Sequence, residues 1–215
     1  MQHKLLIGNK NYSSWSLRPW ILMRVKNIPF SELKVYLYRD DTTAQIKKYS
    51  PTGKVPYLEN ESVQVWDSLA ICEYLADCYP EKHCWPIELN QRANARAICA
   101  EMHSGFSQIR DKLPMNCRMD KQYTNISHEL QSEINRVDSL WQDCLNKHSD
   151  PFLYAGFTIA DAMFAPVVLR FNSYQIPVSQ RSKEYMQQIL NLPAIQEWVI
   201  EGRAETEIIQ QAEIE

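Results

Sequence analysis

The fold is decided by KLLIGNKNYSSWSLRPWILMRV, residues 4–25. Leu5, Leu6 and Ile7 form a short apolar run between Lys4 and Gly8, the length of a buried strand. Ser13, Ser14 and Ser16 then supply residues that start helices. Leu17, Trp20, Ile21 and Val25 follow at helical spacing, and Asn27 with Pro29 stops the helix. A strand that feeds directly into a helix implies a sheet with helices packed on it.

Working outward, Leu33, Val35 and Leu37 alternate with Lys34, Tyr36 and Tyr38, which predicts a second strand. Two strands joined through a helix run parallel, with a right-handed crossover. The polar stretch 39–49 has room for a short helix, and Ser50-Pro51-Thr52-Gly53 is a loop. Tyr57-Leu58-Glu59 and residues 62–66 flank Asn60-Glu61, which predicts an antiparallel hairpin. Residues 67–78 read as a helix with Leu69, Cys72, Leu75 or Ala76, and Tyr79 on one face. The stretch 79–87 holds two prolines and no periodicity. Beyond it the pattern is helical throughout. Ile98, Met102, Phe106, Ile109 and Leu113 form one stripe, and Leu130, Ile134, Val137, Trp141 and Cys144 another. Pro114, Pro151, Pro177 and Pro193 act as breakers, which predicts about five helices. The expected organisation is an α/β domain over residues 1–80, a linker over 81–87 and an all-helical domain over 88–215.

The chain has 215 residues with 45% hydrophobic and 23% charged side chains, so it can bury a sizeable core and is not of disordered composition. Its net charge of −3 lacks the basic footprint of a nucleic-acid binder. No stretch approaches the roughly 20 apolar residues of a membrane helix. Six Cys without short paired spacings fit neither a zinc site nor a disulfide scaffold, and cytoplasm is the expected compartment. No bound metal is expected.

Three segments carry chemistry. Ser13 and Ser14 sit where a strand gives way to a helix, and a helix N-terminus offers free N–H groups with about half a positive charge. Such a position lowers a thiol pKa from its usual value near 8.5. No Cys lies there, so the thiol would come from a ligand, activated by Ser13 or Ser14. Plain N-capping explains the same serines. Val55-Pro56 precedes a strand; a cis bond there would turn the Val55 backbone outward to pair with an extended peptide, whereas a trans proline is the ordinary case. Asp67-Ser68 opens a helix. That pair fits a ligand bearing a carboxylate and an ammonium, and it also fits capping alone.

Together these segments resemble the glutathione S-transferase family over nearly the whole chain. Ser-Ser-Trp-Ser-Leu-Arg, residues 13–18, is similar to the active-site segment of its serine-type classes, closest to zeta-like and other bacterial members. Residues 67–75, Asp-Ser-Leu-Ala-Ile-Cys-Glu-Tyr-Leu, are the most family-like run. The resemblance implies a thioredoxin-like N-terminal domain, an all-α C-terminal domain, and glutathione as co-substrate, conjugated to a small hydrophobic electrophile in a detoxification role. It places the catalytic serine at Ser13, with Ser14 second. It assigns glutathione binding to Ser13, Lys54, Val55, Pro56, Asp67 and Ser68, and implies a homodimer. Isomerase or peroxidase activity on the same fold, or a non-catalytic binding role, are the rival readings. Trp15 stands where zeta maleylacetoacetate isomerases have Cys.

Thr158-Ile159-Ala160-Asp161 is similar to the family's folding signature, and its spacing is that of a capping box. Arg170, Asn172 and Tyr174 are candidates to reach the cleft from the helical domain. The electrophile side is expected to be apolar, with Trp15, Met102, Phe106 or Met115. Cys72, Cys99 and Cys144 read as core thiols and Cys84 as exposed. His103, His128 and His148 read as solvated or locally bonded.

Overall fold

The computed structural model describes residues 2–214. Strand β1 (His3–Ile7) is followed by α1 (Ser14–Val25), β2 (Phe30–Lys34), the short α2 (Thr42–Lys47), β3 (Tyr57–Glu59), β4 (Gln64–Trp66) and α3 (Ser68–Cys78). The sheet order is β2-β1-β3-β4. β1 and β2 are parallel and the other two pairings antiparallel, as the element order requires. Six α-helices follow among the described residues: α4 (Leu89–Ser104), α5 (Ser107–Lys112), α6 (His128–Leu145), α7 (Ile159–Ser173), α8 (Gln180–Leu190) and α9 (Pro193–Ala204). A small mixed sheet followed by a helical remainder is the thioredoxin-like plus all-α architecture. No helix of the described residues is long and apolar enough to cross a membrane.

Helix α1 joins the two parts. Leu17, Trp20, Ile21, Leu22 and Met23 are all buried, and it packs against α3 on one side and α7 on the other. Burying each such side chain contributes roughly 1.5–3 kcal/mol. The loop before α1 is pinned from behind by α9. A Cβ on Gly202 would lie 3.0 Å from the Asn11 amide nitrogen, so glycine permits this close approach. The buried Glu205 carboxylate accepts from the Lys10 and Asn11 amides at 2.9 and 3.1 Å. These contacts set the height at which α1 begins.

Three sequence expectations need correction. The second strand spans Phe30–Lys34 rather than Leu33 to Leu37, because its partner β1 ends at Ile7. Val35 still donates to the Ile7 carbonyl at 2.9 Å. Val35 and Leu37 then pack with Leu6, Ile46 and Tyr57 in a second small cluster. The stripe from Ile98 to Leu113 is two helices, since Phe106 adopts φ +59 and breaks α4 from α5. Cys84 is buried, and its carbonyl accepts from the Ile159 amide at 2.9 Å, tying the connecting segment to α7. Cys72, Cys99 and Cys144 are buried as core thiols.

Helix α7 is buried along nearly all its length. A capping box joins Thr158 and Asp161 at its start. The Thr158 amide donates to Asp161 Oδ2 at 2.8 Å, and the Leu153 amide donates to Oδ1 at 3.0 Å. Burial pushes the Asp161 carboxyl up to about 6, opposed by these N–H donors.

Candidate active site at the tip of the first helix

A cleft of about 780 Å³ opens at the N-terminus of α1. Ser13, Ser14 and Trp15 form its floor on the α1 side, and Gly53, Lys54 and Val55 line it from the loop before β3. Arg110 and Arg170 enter from α5 and α7, and Ile209 and Ala212 from the C-terminal segment. The Val55–Pro56 peptide bond is cis.

Ser13 is the N-cap of α1. Its oxygen accepts from the Ser16 amide at 3.4 Å, and its hydroxyl donates to Ser16 Oγ at 2.8 Å. Ser16 Oγ also accepts from the Gly8 amide at 3.1 Å, which ties the helix tip to the end of β1. Ser14 is the first residue of the helix, and its oxygen accepts from the Arg170 guanidinium at 3.2 Å. Both serines are largely buried. Pro19 inside α1 removes the N–H that would bond the Trp15 carbonyl one turn earlier.

The half-buried Trp15 ring is flanked by two guanidiniums, Arg18 at 4.3 Å and Arg110 at 4.7 Å from its centre. The His103 ring meets its edge with centroids 5.3 Å apart. His103 Nε2 lies 3.1 Å from Asp67 Oδ2. Burial lowers the His103 pKa, opposed by Asp67. His103, expected to be solvated or locally bonded, links α4 to the start of α3. Asp67 caps α3, accepting from the Leu69 amide at 2.8 Å. Ser68 is buried, and its hydroxyl oxygen accepts from Arg18 at 3.4 Å. Asp67 and Ser68 thus connect to the cleft through Trp15 and its neighbours rather than lining it; Pro56 is also set back from the lining.

Burial, reinforced by the like charge of Arg110 and Arg170, pushes Arg18 down to about 9. Burial and Arg110 push Arg170 down to about 10. Arg39, Lys54, Arg110 and Arg170 all line the cleft, where Asp111 is the acidic side chain. The sequence predicts an apolar electrophile side; the lining of the cleft is mixed. Trp15 and Met115 line it, whereas Met102 and Phe106 are buried in the core. Arg170 reaches the cleft. Tyr174 instead donates to the Pro114 carbonyl at 3.0 Å, and Asn172 lies beside a separate pocket near Cys117.

Tyr12 also lines the cleft, but its hydroxyl is engaged elsewhere than at the serines. Its hydroxyl donates to Glu213 Oε1 at 2.5 Å and accepts from the Ile209 amide at 3.3 Å, holding the C-terminal segment across the cleft. Sequence reasoning missed this segment and Arg110. No local pattern announces either one: the C-terminal segment meets Tyr12 about 200 positions away, and Arg110, though it bonds carbonyls of its own neighbourhood, reaches the cleft only by lying over Trp15 from the other part of the chain.

The family profile described as Glutathione S-transferase, N-terminal domain, matches residues 12–78, from the helix tip through α3. A probable maleylacetoacetate isomerase of Caenorhabditis elegans is 26% identical over 170 residues, covering 78% of each chain. Glutathione S-transferase Z1 of Arabidopsis thaliana is 27% identical over 207 residues, covering 91% of each chain. Among solved structures, a glutathione transferase homologue from Burkholderia gl BGR1 with bound glutathione superposes with a TM-score of 0.71 at 23% identity. That match covers 95% of this chain and all of the homologue. Fold, helix-tip serines and relatives agree: residues 12–78 match the N-terminal domain of the glutathione S-transferase family, and the chain is similar over most of its length to members of that family.

Proposed function

We propose that the protein binds glutathione in the cleft and conjugates it, through its thiolate sulfur, to a small electrophile. The observation that carries this reading is the convergence on one cleft of the α1 tip serines, the Lys54–Val55 backbone and a group of cationic side chains. The volume falls within the roughly 300–1,000 Å³ of small-molecule sites. An excess of positive side chains raises the local concentration of an anionic ligand, and glutathione carries two carboxylates.

In this reading the Val55 backbone pairs with the cysteinyl part of the tripeptide. The γ-glutamyl end lies toward Asp67 and Ser68, on the Trp15 side of the cleft, and Lys54 contributes charge at the rim. The thiol loses its proton to water on binding. A hydroxyl at the helix tip then donates to the sulfur, and the α1 N-terminus favours the negative charge. The thiolate attacks the electrophilic carbon held beside it. The new C–S bond forms as the leaving group departs with its electron pair, and proximity supplies much of the rate.

The relatives named as maleylacetoacetate isomerases favour a second reading, in which the thiolate adds to an unsaturated substrate and is expelled again after rotation about the former double bond. We also propose a homodimer, to be checked by sedimentation. Titration calorimetry with glutathione, followed by turnover of a chlorinated dinitrobenzene, tests the primary reading. Binding with consumption of glutathione supports conjugation. Binding with turnover of an unsaturated diacid and no net consumption supports isomerisation. Binding without turnover of either supports a non-catalytic role, and no binding at millimolar glutathione rejects all three.

A further inference from the structure

The two serines at the tip differ in how their hydrogen-bonding capacity is used. A serine hydroxyl has one proton to donate and two lone pairs to accept with. Ser13 spends its proton on Ser16 Oγ at 2.8 Å, within a chain that continues to the Gly8 amide. Redirecting it toward a ligand would open that chain inside a buried turn. Ser14 is the reverse case. Its recorded hydrogen bond within the described residues is as an acceptor, from Arg170 Nη2 at 3.2 Å, and its proton remains available toward the cleft that it lines.

Arg170 itself is well fixed. Its Nη1 donates to the Leu113 and Arg110 carbonyls, and its side chain is almost fully buried. Among the described residues it has no carboxylate within ion-pairing distance. The charged and titratable groups around it are Arg110 and Asp111 from α5, Arg18 from α1 and Tyr174 from its own helix. A buried cation without a counter-ion is costly, and an anion placed next to it offsets that cost.

We propose that Arg170 is a positioning residue for sulfur chemistry: by occupying the acceptor side of Ser14 it turns the Ser14 proton toward the ligand thiolate, making Ser14 rather than Ser13 the hydroxyl that holds the sulfur. The inference rests on the glutathione reading above and refines it. The guanidinium acts twice, orienting the hydroxyl and placing a positive charge one hydrogen bond behind the sulfur. Arg170 does not need to touch the sulfur. The α5–α7 contact would therefore set the nucleophile's ionisation from the helical part of the molecule.

The test is the ultraviolet titration of the thiol in the glutathione complex, with calorimetry on every variant. Ser14→Ala and Arg170→Gln should each raise the bound thiol's pKa by about 1 unit, a tenfold loss of thiolate at a fixed pH below it. The double variant should shift it no further than the larger single change, because both act through one hydrogen bond. Ser14→Thr should restore the titration and Ser13→Ala should scarcely move it. Arg170→Lys should retain part of the effect and serves as the test if Arg170→Gln does not fold. The proposal is overturned if a folded Arg170 variant binds glutathione with an unmoved thiol titration, or if Ser13→Ala gives the larger shift. Absence of glutathione binding by the unaltered protein removes the underlying reading and this one with it. Normal binding with no Ser14 effect removes this one alone.

Discussion

Two helix starts in this protein use hydroxyl residues in opposite ways. At α7, Thr158 and Asp161 satisfy one another and the Leu153 amide inside a fully buried turn. At α1, Ser13 completes an internal chain, while Ser14 takes a hydrogen bond from a distant arginine and faces a cleft. The first cap is closed upon itself and stabilises the fold. The second leaves a donor and a surplus of positive charge unspent at the edge of a cavity, which is the arrangement of a binding site. A helix N-terminus alone does not distinguish them. The direction of each proton and the presence of open space do.

Breaking the closed cap should have the largest effect. Asp161→Ala leaves the buried Thr158 and Leu153 amides without acceptors, at about 1–3 kcal/mol each, so chemical denaturation should show a loss on the order of 3 kcal/mol. Activity per folded molecule should be retained. Breaking the open tip should do the opposite. Ser14→Ala should lower turnover by about tenfold at a pH below the bound thiol's pKa, in step with the loss of thiolate, with a melting temperature close to that of the parent. An equal loss of stability in Ser14→Ala would erase the contrast between the two helix starts.

Ser13→Ala sharpens the comparison within the tip. As a cap it should cost about 1 kcal/mol of stability, with turnover reduced less than tenfold. Stopped assays alongside a denaturation curve separate the two quantities. The subtlest test uses pH. The Asp161 carboxyl is raised to about 6 in the folded chain, above the unfolded value near 3.9. The folded state therefore holds its proton more tightly across that interval. Its contribution is fully present below about pH 4 and is lost as pH rises through about 6. The stability difference between the parent and Asp161→Asn should shrink over that window and level off above it.

Much of this was legible in the sequence because the relevant physics is local. The capping box needs only residues three apart, and β1 with α1 shows its apolar periods within 22 residues. The pair Ser13 and Ser14 could be read as a helix tip for the same reason. Which serine keeps a free proton could not, because the deciding partner, Arg170, lies 156 positions away. His103 looked isolated along the chain, yet folding sets it against Asp67 and Trp15. Cys84 was misread because a proline-rich connection usually lies on the surface, and here it packs under α7. The break between α4 and α5 was hidden by apolar residues that keep their spacing across Gly105 and Phe106.

A crystal structure of the glutathione complex tests the central claim most directly. The account predicts the tripeptide extended along the Val55 backbone, with its sulfur within hydrogen-bonding distance of Ser14 Oγ and Arg170 still on the far side of that oxygen. A tripeptide lying elsewhere, or a sulfur held by neither serine while the α1 tip stands empty, would contradict it.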